Sequence, residues 1–310
     1  MKKKVSFVRQ KNQACVKALP FIIQPGETKL ARLADLSIWI KNNRRYILTT
    51  LHVHGAILFR GYSSESIDDF AYAAKAFGRP LLSYRGGDFA REIVSDRVYT
   101  STSYGPTLDI PLHNEKSFSN NFPKLLFFCC LLKPDKDGET TLSDGRLLYE
   151  QIGKDFLHEI SQKKLKYKMI LKNAPSAGET WQRCFETNNK LDVENYLIDL
   201  KAKFQWNADG SITVEEIVKP AITHPHTNEF VFFSQADQWY SSDPSSYQNC
   251  CYGDGTPLDI KKLILISNIA KKQQQAVQWE QGDFLIVDNI LTLHGRNSYL
   301  GNRKILVIMS

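Results

Sequence analysis

The chain has 310 residues, enough for one large domain or two small ones. Its hydrophobic fraction of 42% and aromatic fraction of 11% are those of a globular protein with a good core. The net charge of +7 is spread along the chain and comes with no nucleic-acid-binding motif, so it permits an acidic partner but argues against nucleic acid. No segment approaches the length of a membrane helix. Met1-Lys2-Lys3-Lys4 is not followed by the apolar region and cleavage site of a signal peptide. The cysteines are Cys15, Cys129, Cys130, Cys184, Cys250 and Cys251. They include two vicinal pairs and no C-x-x-C, so reduced thiols in a cytoplasmic protein are expected.

Residues 29–46 predict an amphipathic helix, with Leu30, Leu33, Leu36 and Ile40 on one face and a basic end at Lys41, Arg44 and Arg45. His52 to Gly61 reads as a strand. Ser66 to Phe77 reads as a helix with Ile67, Phe70, Ala73, Ala74 and Phe77 on one face, stopped by Gly78 and Pro80. Residues 81–110 mix loops with a short strand at Val98 to Ser101. The segment Pro111-Leu112-His113-Asn114-Glu115 then carries an H-x-E triplet, followed by the apolar strand Leu125 to Leu132 and a turn-rich loop from Lys133 to Gly138. A helix over 144–162 begins at Asp144 as its cap.

Residues 165–257 form an insertion, read as a substrate or lid region. It holds a helix near 191–202, the turn Asn207-Ala208-Asp209-Gly210 between two strands, a hairpin around Thr227-Asn228 and a Ser/Asp/Gly/Pro-rich loop over 234–257. A helix over 258–275 precedes a strand from Gly282 to Asn289, the His294 segment and the last strand, Lys304 to Met309. Many short strands with long insertions suggest a jelly-roll variant, although strand pattern alone does not separate it from other barrels. The reading is one domain over 1–310, mainly β with flanking helices.

On an extended segment the side-chain period of two puts His113 and Glu115 on one face. That is two-thirds of a 2-His-1-carboxylate triad, which holds Fe(II) and leaves open positions. The triplet alone is weak. His294, far along the chain, is the third ligand chosen, and Arg303 at the start of the last strand offers a planar guanidinium able to grip a carboxylate in two places. The rival pairs His52/His54 and His224/His226 are each an H-x-H triplet that could chelate zinc with a third ligand. Structural roles are favoured for both pairs, while His158, in a charged helix, reads as solvated.

Further pieces follow in order: Val98-Tyr99-Thr100-Ser101-Thr102, Ile110 to Glu115, Phe127-Phe128-Cys129, Gly138-Glu139-Thr140, Trp181-Gln182 with Phe185 and Thr187, His224-Pro225, and His294-Gly295-Arg296 with Gly301 and Arg303. Together, over roughly residues 50–310, they make the chain resemble the taurine-dioxygenase (TauD/TfdA) family of Fe(II)- and 2-oxoglutarate-dependent oxygenases. Its SyrP-like branch, which hydroxylates amino-acid units in natural-product biosynthesis, is the most similar. The resemblance implies a clavaminate synthase-like double-stranded β-helix, iron ligands His113, Glu115 and His294, and 2-oxoglutarate bound through Thr140 and Arg303. O2 is the oxidant, and 2-oxoglutarate leaves as succinate and CO2.

Asn114 and Arg296 are assigned to the substrate or to orienting the site, with a structural ion pair an equal reading for Arg296. Thr140 could alternatively be only a turn residue. The carboxylate of Glu115 favours hydroxylation over halogenation, while desaturation or cyclisation uses the same centre. A zinc hydrolase has no use for Arg303 and Thr140, and intact ligands argue against a non-catalytic binding protein. The chain departs from the branch at Asp137, at Ser234 and over 85–95, near the expected substrate loops. The expected substrate is an amino acid or amino-acid-derived unit, as a small molecule or carried on a carrier protein, and a homo-oligomer is compatible with the sequence.

Overall fold

The apolar run from Leu125 to Leu132 decides where the rest of the chain goes. In the computed structural model, which describes residues 18–26, 31–64, 66–88, 91–102, 104–173, 180–243 and 245–310, this run is the central strand of a seven-stranded sheet. Successive side chains leave on opposite faces. Leu125, Phe127 and Cys129 enter a core shared with Phe59, Phe70 and Phe284. Leu126, Phe128 and Cys130 enter a second core with Leu142, Trp279, Leu285 and Val307. A strand buried on both faces has no polar side to show, which is why the run is apolar without a break.

From edge to edge the sheet runs Phe21–Ile23, Ala56–Phe59, Phe284–Asp288, Leu125–Leu132, Lys304–Met309, Val98–Thr100 and Ile93–Ser95. The first pair is parallel and the others antiparallel. Helices Leu33–Asn42, Arg44–His54 and Ile67–Lys75 cover the outer face through Leu33, Leu36, Ile40, Ile47, Leu51 and Phe70. The inner face meets a four-stranded antiparallel sheet in the order Gln275–Val277, Thr140–Asp144, Thr292–Arg296, Ile110–His113. These two sheets are the double-stranded β-helix, and the smaller one carries both histidines of the predicted triad.

Within 165–257 the chain builds a third sheet, ordered Lys203–Trp206, Ile212–Val218, Leu165–Leu171, Gln248–Tyr252. Its buried residues Tyr167, Met169, Ile212 and Val214 share one core with Phe118, Leu148 and Leu293. The insertion is thereby fastened to the strand that carries His294.

Several expected elements differ in extent. The helix expected over 29–46 is two helices broken at Asn43, whose side-chain amide bonds the Trp39 carbonyl. The second runs through His54, because Ile47 and Leu51 at helical spacing face the core, and it stops at Gly55 in the left-handed conformation (φ 77°). The expected strand from His52 therefore starts only at Ala56. The helix expected over 144–162 breaks at Gly153 into Gly145–Gln151 and Lys154–Lys163. The loop expected over 234–257 contains the helix Ala236–Trp239 and the strand Gln248–Tyr252, which satisfies the free edge of Leu165–Leu171. Leu30 and Cys15 lie outside the described residues. The cap expected at Asp144 is present, and Ser66 adds one that was not expected. Ser66 forms a capping box with Asp69, and Asp144 accepts from the Arg146 amide. No helix among the described residues is long and apolar enough to cross a membrane.

The Phe127 ring stacks on Phe284 with centroids 6.1 Å apart and planes 4° off parallel, and it is fully buried. Phe127→Ala should cost about 3–5 kcal/mol of stability in a denaturant titration. A loss below about 1 kcal/mol would mean that this face is not the core.

Candidate metal centre

His113 ends the strand Ile110–His113, and His294 sits directly opposite it on Thr292–Arg296. Directly opposed residues on one face are near neighbours, and the two imidazole centroids are 4.3 Å apart. The approach of these strands requires Gly295. A Cβ there would lie 2.6 Å from the Ile110 carbonyl and 2.8 Å from the Thr141 hydroxyl. Glu115 follows just past the strand end, in the turn where Lys116 is left-handed (φ 57°). One ligand atom each from His113, Glu115 and His294 lie within 4.8 Å of one another.

The protonation states suit a cation. His113 donates its Nδ1–H to the Pro111 carbonyl at 2.9 Å, which leaves the Nε2 lone pair for a ligand. His294 is buried, and burial, then the neighbouring charges of His113 and Arg91, hold its pKa well below the ordinary histidine value, so it is a neutral imidazole. Its Nε2 is 4.0 Å from Glu115 Oε2, and its Nδ1 has no hydrogen-bond partner among the described residues. Two imidazoles and a carboxylate on one side of an open cavity can hold a divalent transition ion such as Fe(II).

Glu115 is fixed by groups that sequence reasoning missed. Asn289 accepts from the Glu115 amide at 2.7 Å and donates to the carbonyls of Glu115 and Pro123 at 3.0 and 2.8 Å. Its side chain thus completes the backbone pairing of a buried turn. Tyr84 donates to Glu115 Oε1 at 3.1 Å, and Arg91 pairs with Oε2 at 2.6 Å. Nothing local in the sequence marks Asn289. Tyr84 and Arg91 fall in or beside the stretch 85–95 already noted as divergent.

A cavity of about 120 Å³ joins the triad to Thr140, Arg296, Arg303 and Asp88. Thr140 Oγ1 accepts from the Trp279 indole at 3.2 Å, which leaves its hydroxyl hydrogen free to donate. Arg303 bonds the Gly138 carbonyl through Nε at 3.0 Å and Ser101 Oγ through one terminal nitrogen at 3.4 Å. Among the described residues it has no carboxylate partner, and burial, then repulsion from Arg296, push its pKa down to about 10. It is still a cation at neutral pH. Arg296 instead spends its terminal nitrogens on the carbonyls of Tyr104, Gly105 and Leu108, so it braces that loop, and among the described residues no ion pair holds it.

Asn114, expected at the substrate or around the site, is turned away from the cavity. Its amide ties the carbonyls of Asn289 and Thr292 at 2.7 and 3.3 Å. Asp137 has φ 58°, a left-handed conformation that asparagine or aspartate tolerates and glycine adopts freely, which explains the departure seen there. Ser234 bonds Tyr167 at 2.9 Å behind the cavity. The rival histidines His52, His224 and His226 gather near Asp288. His224 donates Nε2–H to Asp288 Oδ2 at 3.2 Å, and its Nδ1 accepts the Thr227 amide at 3.1 Å. Both nitrogens are used in one tautomer, so His224 keeps no lone pair for a metal. His54 bonds the Ala18 carbonyl, and His158 is exposed.

The family model described as taurine catabolism dioxygenase TauD, TfdA family matches residues 23–309. A clavaminate synthase-like protein of Arabidopsis thaliana is 31% identical over 309 residues, covering 94% of this chain and 93% of its own. The dapdiamide synthesis protein DdaC of Enterobacter agglomerans is 26% identical, covering 82% of each. Among solved structures, PvcB, an Fe, alpha-ketoglutarate dependent oxygenase from an isonitrile synthetic pathway, superposes with a TM-score of 0.53 at 12% identity, over 99% of this chain and 90% of its own.

Removing the Asn289 side chain leaves buried backbone groups of Glu115 and Pro123 unpaired. Asn289→Ala should cost about 1–3 kcal/mol and weaken divalent-ion retention in equilibrium dialysis, while retention equal to that of the parent would detach Glu115 from the site. His113→Ala and His294→Ala should each lose Fe(II) in the same dialysis without a fall in thermal stability of the metal-free protein.

Proposed function

The chain belongs to the taurine catabolism dioxygenase TauD, TfdA family, and we propose that it is an Fe(II)- and 2-oxoglutarate-dependent dioxygenase that hydroxylates an aliphatic carbon of an amino-acid unit in natural-product biosynthesis. The observation that carries this reading is one cavity lined both by the two-histidine, one-carboxylate donor set and by a buried guanidinium with no carboxylate of its own. The biosynthetic part rests on the dapdiamide and isonitrile-pathway relatives.

When bound at His113, Glu115 and His294, Fe(II) uses O2 and 2-oxoglutarate to oxidise a C–H bond, with succinate and CO2 released. The chain's own residues position and protect. His113 presents Nε2 because its other nitrogen is spent on Pro111. Asn289 holds the Glu115 backbone, so the carboxylate projects from a fixed point. Arg303 and the Thr140 hydroxyl take the far carboxylate of 2-oxoglutarate. A charge-assisted pair there relieves the cost of burying an unpaired guanidinium. Phe128, Ile110 and Trp239 line the cavity with apolar surface that excludes water.

Arg303→Ala should raise the apparent 2-oxoglutarate constant well over tenfold, since losing a buried, hydrogen-bonded charge pair costs roughly 2–5 kcal/mol. Unchanged saturation would move the clamp elsewhere. His113→Ala or His294→Ala should abolish oxygen-dependent succinate formation, and full activity in either would sink the centre. The product should gain about 16 Da, one oxygen per turnover, whereas a loss of about 2 Da would replace hydroxylation by desaturation or ring closure.

A further inference from the structure

Three arginines line the cavity, and they differ in what they have left to bind. Arg296 is committed to loop carbonyls. Arg303 has the function just described. Arg91 is the third. One of its terminal nitrogens bonds the Ser101 carbonyl, another pairs with Glu115 Oε2 at 2.6 Å, and its Nε is buried with no partner among the described residues. Glu115 is also the carboxylate of the donor set. A divalent ion held there takes up that negative charge, and Arg91 is then a buried cation in need of a different anion.

Asp88, three residues earlier on the same segment, presents the opposite case. Its carboxylate faces the cavity, and its hydrogen-bond partner is the Tyr84 hydroxyl at 3.1 Å, whose one proton it shares with Glu115 Oε1. It has no ion-pair partner among the described residues. Burial, then the charge of Glu115, push its pKa up, so an ionised carboxylate there carries a desolvation cost that a cation would relieve. Tyr84 fixes both groups. Its hydroxyl touches Asp88, and its ring lies 4.5 Å below the Arg91 guanidinium. One carboxylate and one guanidinium therefore flank a single phenol in the wall beside Glu115.

We infer that Asp88 and Arg91 form the subsite for the charged head of a free α-amino acid, Asp88 taking the ammonium and Arg91 the carboxylate. This rests on the amino-acid reading of the same site and narrows it, because a unit carried as a thioester on a carrier protein has an ammonium but no carboxylate for Arg91. Bidentate capture of a carboxylate suits arginine, and an amino acid places its two charges on one carbon, as a subsite built around one tyrosine requires.

The test uses the full chain loaded with Fe(II) and 2-oxoglutarate under anaerobic conditions, where binding is read without turnover. The common L-amino acids are titrated calorimetrically beside their N-acetyl derivatives, methyl esters and N-acetylcysteamine thioesters. At least one free amino acid should bind, and blocking either end should weaken it tenfold or more. Asp88→Asn should erase the preference over the N-acetyl form, and Arg91→Gln the preference over the ester and thioester. Both variants should melt in a single cooperative thermal transition like the parent, which shows that they are folded. Esters or thioesters that bind as well as the free acid overturn the assignment of Arg91. N-acetyl forms that bind as well overturn that of Asp88. If no free amino acid binds better than its blocked forms, the inference fails even though 2-oxoglutarate still binds. Loss of 2-oxoglutarate binding in the parent would instead break the dioxygenase reading itself.

Discussion

The site depends on one register: His113 paired against His294 across two antiparallel strands. Both imidazoles reach the cavity only while that pairing holds, since a slip of one residue would turn each side chain to the other face. The register is secured from several sides. Gly295 lets the strands close to a distance that any Cβ would prevent. Leu293 is packed into the core of the inserted sheet, and Leu142, opposite His294, is packed between the two main sheets. The third ligand is not on the ladder at all. Glu115 lies in a turn, and its backbone is held by the Asn289 side chain reaching from the loop between two distant strands. The donor set is thus a consequence of sheet pairing and one buried amide, with every element of the sandwich contributing.

Much of this was legible in the sequence where the signal is local. The unbroken apolar run of the central strand, the cap at Asp144 and the turn at Asn207 are short-range patterns with a direct physical meaning. The triad residues were found as motifs, and the structure brings His113, Glu115 and His294 together from two widely separated segments. Helix ends were less legible. Asn43 both ends one helix and precedes the next, and a periodic pattern alone runs across it. His52 and His54 looked like a strand because the helix ahead of them leaves its stopping signal, Gly55, to the last residue.

What the sequence could not show is partnership over long distances. Asn289 and Tyr84 are common residue types whose roles exist only once remote backbone and carboxylate groups arrive beside them. The clustered histidines make the same point in reverse. His52, His224 and His226 do converge near Asp288, yet His224 meets its needs with a carboxylate and backbone amides. Proximity of ligand-type residues is therefore insufficient. The deciding quantity is whether a lone pair is left over, as it is on His113 and is not on His224.

The same accounting applies to charge. A buried guanidinium is stable only beside an anion or a set of carbonyls. Arg296 has the carbonyls, and Arg303 has no carboxylate among the described residues, an anion that the proposed function assigns to the co-substrate. Arg91 shares Glu115 with any cation bound by the triad, so these two claims compete. An anion that draws Arg91 away from Glu115 frees the carboxylate for the metal, and a metal on Glu115 frees Arg91 for the anion. Thermodynamic linkage makes the coupling equal in both directions. On the subsite proposed above, the carboxylate of the substrate is that anion. Substrate and metal then strengthen each other's binding through one arginine, and a molecule lacking the carboxylate can occupy the cavity without this gain.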